Sequence, residues 1–501
     1  MSSEHPAPVR HGRILALACL AQFMVVLDVS IVNVALPSIR SDLHFSASGL
    51  QWVVNAYVLT FAGFLLLGGR AADLFGRRRI FVLGLGLFSL SSLAGGLADS
   101  SNMLTAARAA QGLGGAILSP ATLTIIMTTF DEGAARNRAL GTWSSVAGAG
   151  GAAGGILGGV LTNYLSWRWV LFVNVPIGAV AIAAGLAYLT EGRRPTEARS
   201  LDVAGAITVT AGLAALVYAI VDTATVPWGS VRTLGVLGVA VVLLGAFAVI
   251  QMRSAAPLVP LGLFRSRTLA AANVVMLLTG AIFFSFWYFL SLYMQSVLGY
   301  GPLKAGGAFL PMAVCIILGA QISSRVMGHA GARPILVVGI VMSAGGFFWM
   351  GHLGLHSHYP SGILVPGILV SVGVGLCFTP LAAVATSGVH YTQAGLASGL
   401  LNTSRQVGGS IGLAALATLA ADRTDALVRG GAAVTLVHGA QPAVVGRALT
   451  SGYDRAFLVG SLVSLLAAAV GLTIPDIRRR NPAAEPARIA VGAPTPVGVM
   501  E

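Results

Sequence analysis

Long apolar runs dominate the chain, separated at short intervals by clusters of glycine, arginine and proline. A helix needs about 20 mainly apolar residues to cross about 30 Å of hydrocarbon. Runs that meet this need fall at 14–37, 50–69, 80–98, 104–129, 139–162 and 169–190. Two more lie at 203–222 and 233–252, and a last set at 268–297, 303–324, 334–352, 362–388, 395–420 and 455–474. The pattern predicts an all-α integral membrane protein of about 14 spans. Their grouping is six, two and six. It divides the chain into an N-terminal segment 1–13, a six-helix bundle 14–190, a linker 191–267 with two extra spans, and a second bundle 268–474. Residues 421–454 are more polar and read as a long outer loop. Residues 475–501 are rich in proline and alanine and read as a disordered tail. The first run follows Arg10 and Arg13, as a secretory signal would. It is too long for a signal core and lacks an A-x-A site, so it reads as a retained span.

Charge orients the spans. With the N-terminus cytoplasmic, one side collects the arginines at 10–13, 70–79, 136–138, 193–199, 253–267, 325–333 and 478–488. The other side receives only Arg40, Arg168, Arg232, Lys304, Arg423, Arg429, Arg447 and Arg455. The positive-inside rule then places both termini in the cytoplasm of a cell membrane. The net charge of +13 could also suggest a nucleic-acid partner, but the cations lie in short inter-span connections, which argues against one. Composition fits a bilayer, with 56% hydrophobic and 9% charged residues against about 25% charged in soluble domains. Cys19, Cys315 and Cys377 sit singly in apolar runs, with no disulfide framework or zinc spacing.

Asp28 lies inside the first span, where a carboxylate is expensive and usually functional. It reads as a proton-coupling group, the alternative being a satisfied ion pair or a capped kink. Arg108 in span four is its natural partner. It lies about 8 Å, and Asp28 about 14 Å, below the outer ends of their helices, a difference a long arginine can bridge. Gln111 follows at i+3 on a similar face. Between spans two and three, Gly69 and Gly76 allow a tight turn around Asp73, Arg77 and Arg78, read either as a topology anchor or as a conformational latch. In span five, Gly151, Gly155 and Gly159 share one face, with Gly154 and Gly158 beside them. The face suits static close packing or a hinge.

Phe284, Trp287 and Tyr288, with Trp52, Tyr57 and Trp143, are candidates to line an apolar cavity, along with Asn33, Gln111 and Arg405; the alternative is an interfacial role. The stretch Gly319–Arg325 with Gly331 and Arg333 echoes the Gly69–Arg79 turn. Asn402-Thr-Ser-Arg405-Gln406 ahead of Gly408-Gly409 echoes Arg108 and Gln111, as in transporters built from repeats. No P-loop, selectivity filter, GxSxG or HExxH motif is present, so an ion gradient is the expected energy source and no enzyme activity, cofactor or metal site is expected.

These residues resemble the major facilitator superfamily, and within it the 14-span drug:proton antiporters. Leu27-Asp28-Val29-Ser30-Ile31-Val32-Asn33-Val34-Ala35-Leu36-Pro37 matches that family's first-span motif. Gly69 to Arg79 matches its loop motif, with Ala71 where leucine is usual. Arg108-Ala-Ala-Gln111-Gly112 matches its span-four motif, whose arginine the family associates with proton transfer, and Trp167-Arg168-Trp169 with Asn174-Val175-Pro176-Ile177-Gly178 resembles its entry into span six. The span-five motif departs, with Gly155 where proline is usual. The resemblance implies two six-helix bundles around a central cavity, two extra peripheral spans, alternating access, a monomer, and proton-coupled export of drugs or other small amphipathic compounds. The alternative is an exporter or uptake permease for a narrow endogenous metabolite, lipid or siderophore.

Overall fold

The structure, a computed structural model, describes residues 8–131, 133–190, 201–254, 257–387, 394–435 and 442–476. The tail expected from 475 lies outside the described residues beyond Asp476, as does the linker stretch 191–200. The regular elements are all helical. The first bundle comprises α1 (Pro8–Asp42), α2 (Trp52–Phe75), α3 (Arg77–Gly96), α4 (Ser101–Thr129), α5 (Ala134–Tyr164) and α6 (Trp169–Tyr188). A hairpin of α7 (Val203–Asp222) and α8 (Val231–Arg253) follows. The second bundle comprises α9 (Arg267–Leu292), α10 (Pro302–Ala330), α11 (Ala332–Met350), α12 (Val365–Thr386), α13 (Ala394–Thr435) and α14 (Pro442–Leu472). Among the described residues, 13 helices are long and apolar enough to cross a membrane. The other, α13, is long enough but more polar. It packs against α2, α7, α9, α12 and α14, so protein surrounds it.

The outer loop expected at 421–454 is a point of correction. α13 continues to Thr435 and α14 begins at Pro442, so most of that stretch is helix. Polar residues there solvate helices that extend past the apolar zone. Arg423 Nε donates to Ser451 Oγ at 3.2 Å and Thr424 Oγ1 to the Ala448 carbonyl at 3.3 Å, tying the two extensions together.

The bundles repeat one packing scheme. In each, the first helix packs on the fifth, the second on the fourth, and the third on the fourth and sixth. Both second-to-third connections turn on one glycine in the left-handed region, Gly76 at φ 97° and Gly331 at φ 86°. The echo read in Gly319–Arg333 is therefore a structural counterpart. The echo read in Asn402–Gly409 is not. Arg405 lies on the fifth helix of its bundle, whereas Arg108 lies on the fourth of its own.

Two seams join the bundles, α2 with α13 and α5 with α10. At the second, small residues bring backbones into contact: a Cβ on Gly306 would fall on the Gly155 carbonyl, and one on Gly159 would meet the Pro302 carbonyl at 2.8 Å. Gly154 and Gly158 face the other way, against Ser30 and Ile31 of α1. The common face expected for Gly151, Gly155 and Gly159 thus splits, because Gly151 has only Val26 within 4.0 Å of a Cβ. These contacts lie in the half of the bundle far from the N-terminus. In the near half, Gly141, Thr142 and Ser145 of α5 and Gln321, Ile322 and Arg325 of α10 are exposed. α7 covers the α2–α13 seam through Leu213, Val217 and Val221, which cluster with Leu59 and Ala414.

Candidate functional site

At the middle of the first bundle, polar side chains of α3, α4 and α6 converge on one carboxylate of α1. Arg108 Nη1 donates to Asp28 Oδ2 at 2.6 Å, and Gln111 Nε2 donates to Asp28 Oδ1 at 2.8 Å. Asn174 Nδ2 donates to the same Oδ1 at 3.0 Å and to Ser92 Oγ at 3.0 Å. Ser92 passes its own proton to the Leu171 carbonyl at 2.8 Å and accepts from Gln111 Nε2 at 3.2 Å. Asp28 and Asn174 are 0% exposed and Arg108 2%, so no solvent screens the pair.

The arginine is held on every side. Its Nε donates to the Val53 carbonyl at 3.0 Å, its Nη1 also reaches Gln111 Oε1 at 2.7 Å, and its guanidinium lies 4.5 Å from the Tyr57 ring centre. Such a fork, satisfied by several acceptors and a ring face, is arginine chemistry that lysine cannot reproduce. Gly112 makes the geometry possible. A Cβ there would strike Thr60 Oγ1 and the Tyr57 carbonyl, so its absence lets α4 press against α2 and present Arg108 and Gln111 to α1. On α6, Pro176 has no N–H to give the Phe172 carbonyl, and the helix is broken at Val173 just before Asn174. Tyr57 Oη and Asn174 Oδ1 have no protein partner, leaving hydrogen-bonding capacity at the rim of the network.

α1 connects this site to α5, one side of the α5–α10 seam, and to α9 of the second bundle. Two residues beyond Asp28, Ser30 Oγ donates to the Gly151 carbonyl of α5 at 2.6 Å. Further along, Ser291 Oγ of α9 donates to the Asn33 carbonyl at 2.7 Å, and Gln295 Nε2 donates to the Val34 carbonyl at 3.0 Å. The Asn33 carbonyl is free for this because Pro37, four residues on, has no N–H.

The other expected positions are dispersed. The Asn33 side chain bonds back to the Val29 carbonyl at 2.9 Å. Trp52 packs on Tyr218 of α7, and Trp143 Nε1 donates to Thr122 Oγ1 at 3.1 Å. Tyr57 stands beside Arg108. Phe284 is buried against Gly409 and Tyr288 lies in the core of the second bundle, so neither faces an open space. Trp287 is half-buried, 4.9 Å from Phe309 between ring centres. Arg405 Nη2 donates to Asn402 Oδ1 at 2.8 Å. At the α2–α3 turn, Arg78 Nη2 donates to the Leu186 carbonyl near the C-terminus of α6 at 2.9 Å. Arg77 is not without a partner, a Cβ on Gly69 would sit at ordinary contact distance from Pro120, and the Asp73 side chain lies outside the described residues. Ser92 was not legible as a site residue. It stands among Ser89 and Ser91 with nothing to single it out, whereas Asn174 is the one amide in a strongly apolar span.

Comparison with known proteins matches this architecture. Residues 18–413 match the family described as Major Facilitator Superfamily. The chain is 45% identical to the cephamycin export protein CmcT of Amycolatopsis lactamdurans, with 93% of each chain covered. It is 38% identical to the puromycin resistance protein pur8 of Streptomyces alboniger, over 95% of this chain and 93% of that one. Among solved structures, a bacterial homologue of the human lysosomal transporter Spinster, captured inward-facing and occupied, superposes with a TM-score of 0.67 at 15% identity, covering 93% of this chain and 97% of that one. The chain therefore belongs to the major facilitator superfamily, as a multi-span membrane transporter related to antibiotic exporters and multidrug resistance proteins.

Proposed function

We propose that the protein is a proton-coupled antiporter that exports antibiotics or similar small amphipathic compounds across the cytoplasmic membrane by alternating access, with Asp28 as the proton carrier. The observation that carries this reading is the closed network around Asp28. An ionised carboxylate buried in a bilayer is tolerable only while its partners hold it, so loading a proton and breaking the Arg108 pair are linked events. The names of the relatives, cephamycin export and puromycin resistance, support export of antibiotics. The arginine distribution supports cytoplasmic termini, which puts the near half on the cytoplasmic side.

In this reading a proton from outside neutralises Asp28, loosens its hold on Arg108, Gln111 and Asn174, and lets α1 shift. α1 carries Ser30 to α5 and Asn33 and Val34 to α9 and its extension, so the shift would favour closure of the far half and opening to the cytoplasm. Release of the proton inward would restore the Arg108–Asp28 pair. The protein would act as a monomer with only substrate, protons and lipid as partners.

Proton release from energised everted vesicles, on addition of cephamycin, puromycin and a panel of dyes, tests the proposal. Wild type should respond to at least one compound, and Asp28→Asn, inserted at equal amounts, to none. Undiminished proton-linked export by Asp28→Asn would sink it.

A further inference from the structure

The second bundle contains a cation without a counter-ion. Between Asp222 and Asp422 the sequence holds no aspartate or glutamate, so the first five helices of that bundle carry no acidic side chain until the distal part of α13. Arg405 lies within this stretch, in the helix at the centre of the molecule. Its side chain has one hydrogen-bond partner, the neutral Asn402 Oδ1, and its Nε is buried without any. No carboxylate among the described residues lies within ion-pair distance of it. The contrast with Arg108, which has a carboxylate, an amide and a carbonyl, is complete.

A half-buried arginine in a membrane protein needs an anion or water. α13 is flanked by α2, α7, α9, α12 and α14, and Arg405 lies over Phe378 of α12, whose ring meets Phe283 of α9, so its side chain is directed between helices of the second bundle. Its guanidinium lies 5.7 Å from the centre of the Phe378 ring. From Phe378 a series of rings continues through Phe283 at 6.3 Å and Trp287 at 6.3 Å to Phe309 at 4.9 Å, contributed by α12, α9 and α10. Phe378, Phe283 and Trp287 are each half-buried, with ring surface still uncovered. One cationic fork at the end of an aromatic wall matches a compound with an anionic head and an apolar body.

We propose that Arg405 binds the anionic group, a carboxylate or sulfonate, of an amphipathic substrate whose apolar part lies along Phe378, Phe283 and Trp287. The assignment deepens the export reading by naming the charge class of the cargo. Binding at Arg405 does not require proton coupling, so the two can fail separately.

The test is equilibrium binding of dansylglycine and of its methyl ester to the purified full chain, read by dansyl fluorescence. The two probes share the ring system and differ in the charge. Wild type should bind the acid on the order of tenfold or more tightly than the ester, as a charge-assisted hydrogen bond predicts. Arg405→Gln should bring the acid down to the affinity of the ester and leave the ester unchanged, while Arg405→Lys should keep part of the preference. Equal binding of acid and ester by wild type, no binding of the acid, or a preference that survives in Arg405→Gln would each overturn the proposal. The comparison on wild type stands even if Arg405→Gln does not fold.

Discussion

At the scale of single residues, the proposed coupling depends on how completely Asp28 and Arg108 satisfy each other. Arg108→Lys keeps the charge but cannot reach Asp28, Gln111 and the Val53 carbonyl together, and we expect at least a tenfold loss of drug-gradient formation in vesicles with the protein still inserted. Asn174→Ala removes one donor to Asp28 while leaving the ion pair. It should lower thermal stability by about 1–3 kcal/mol, the range for a lost buried bond to a charged group, and leave proton coupling in place. Purified-protein melting and vesicle proton release together check both outcomes. Asp28, Arg108 and Gln111 were legible in the sequence because each is a charge or a large amide in an apolar run. Ser92 was not. Small hydroxyls inside helices usually bond their own backbone, as Thr60 partly does at the Ala56 carbonyl, and only the fold shows which one turns to a network.

At the scale of helices, prolines and glycines set where backbones become available. Pro37 frees the Asn33 carbonyl for Ser291, and Gly155, Gly159 and Gly306 let α5 and α10 touch. Gly306→Leu would force those backbones apart and hold the far seam open. In a background with Cys19, Cys315 and Cys377 replaced by serine, a cysteine at Val34, buried at 1% exposure, should then react severalfold faster with an impermeant maleimide. Gly76→Ala tests the other glycine role. At φ 97° a side chain is strained, and about 1–2 kcal/mol of stability should be lost, seen as a lower melting temperature. The spans themselves were readable because lipid demands an unbroken apolar run. The same rule misread 421–454, where water-facing helix looks like loop, and misassigned the likeness of Arg405 to Arg108, since a short polar motif carries no information about which helix of a repeat it occupies.

At the scale of the whole molecule, two bundles of matching topology meet backbone to backbone at Gly155, Gly159 and Gly306, and α7 covers the α2–α13 seam beside them. The bundles are not equivalent chemically. The first holds a matched acid and base, while the central helices of the second hold cations and no acid. In the proposed mechanism this asymmetry divides the work: the proton would act in the first bundle, and α1 would pass its state to α5 and α9 through Ser30 and Asn33. The central claim is that Asp28 couples movement of the bundles to the proton and is not needed for the movement itself. Proteoliposomes loaded with an exported antibiotic test this most directly, by comparing radiolabelled counterflow without a gradient against accumulation driven by a pH gradient. Asp28→Asn should retain counterflow and lose pH-driven accumulation; a mutant that still accumulates the compound under a pH gradient would contradict the account.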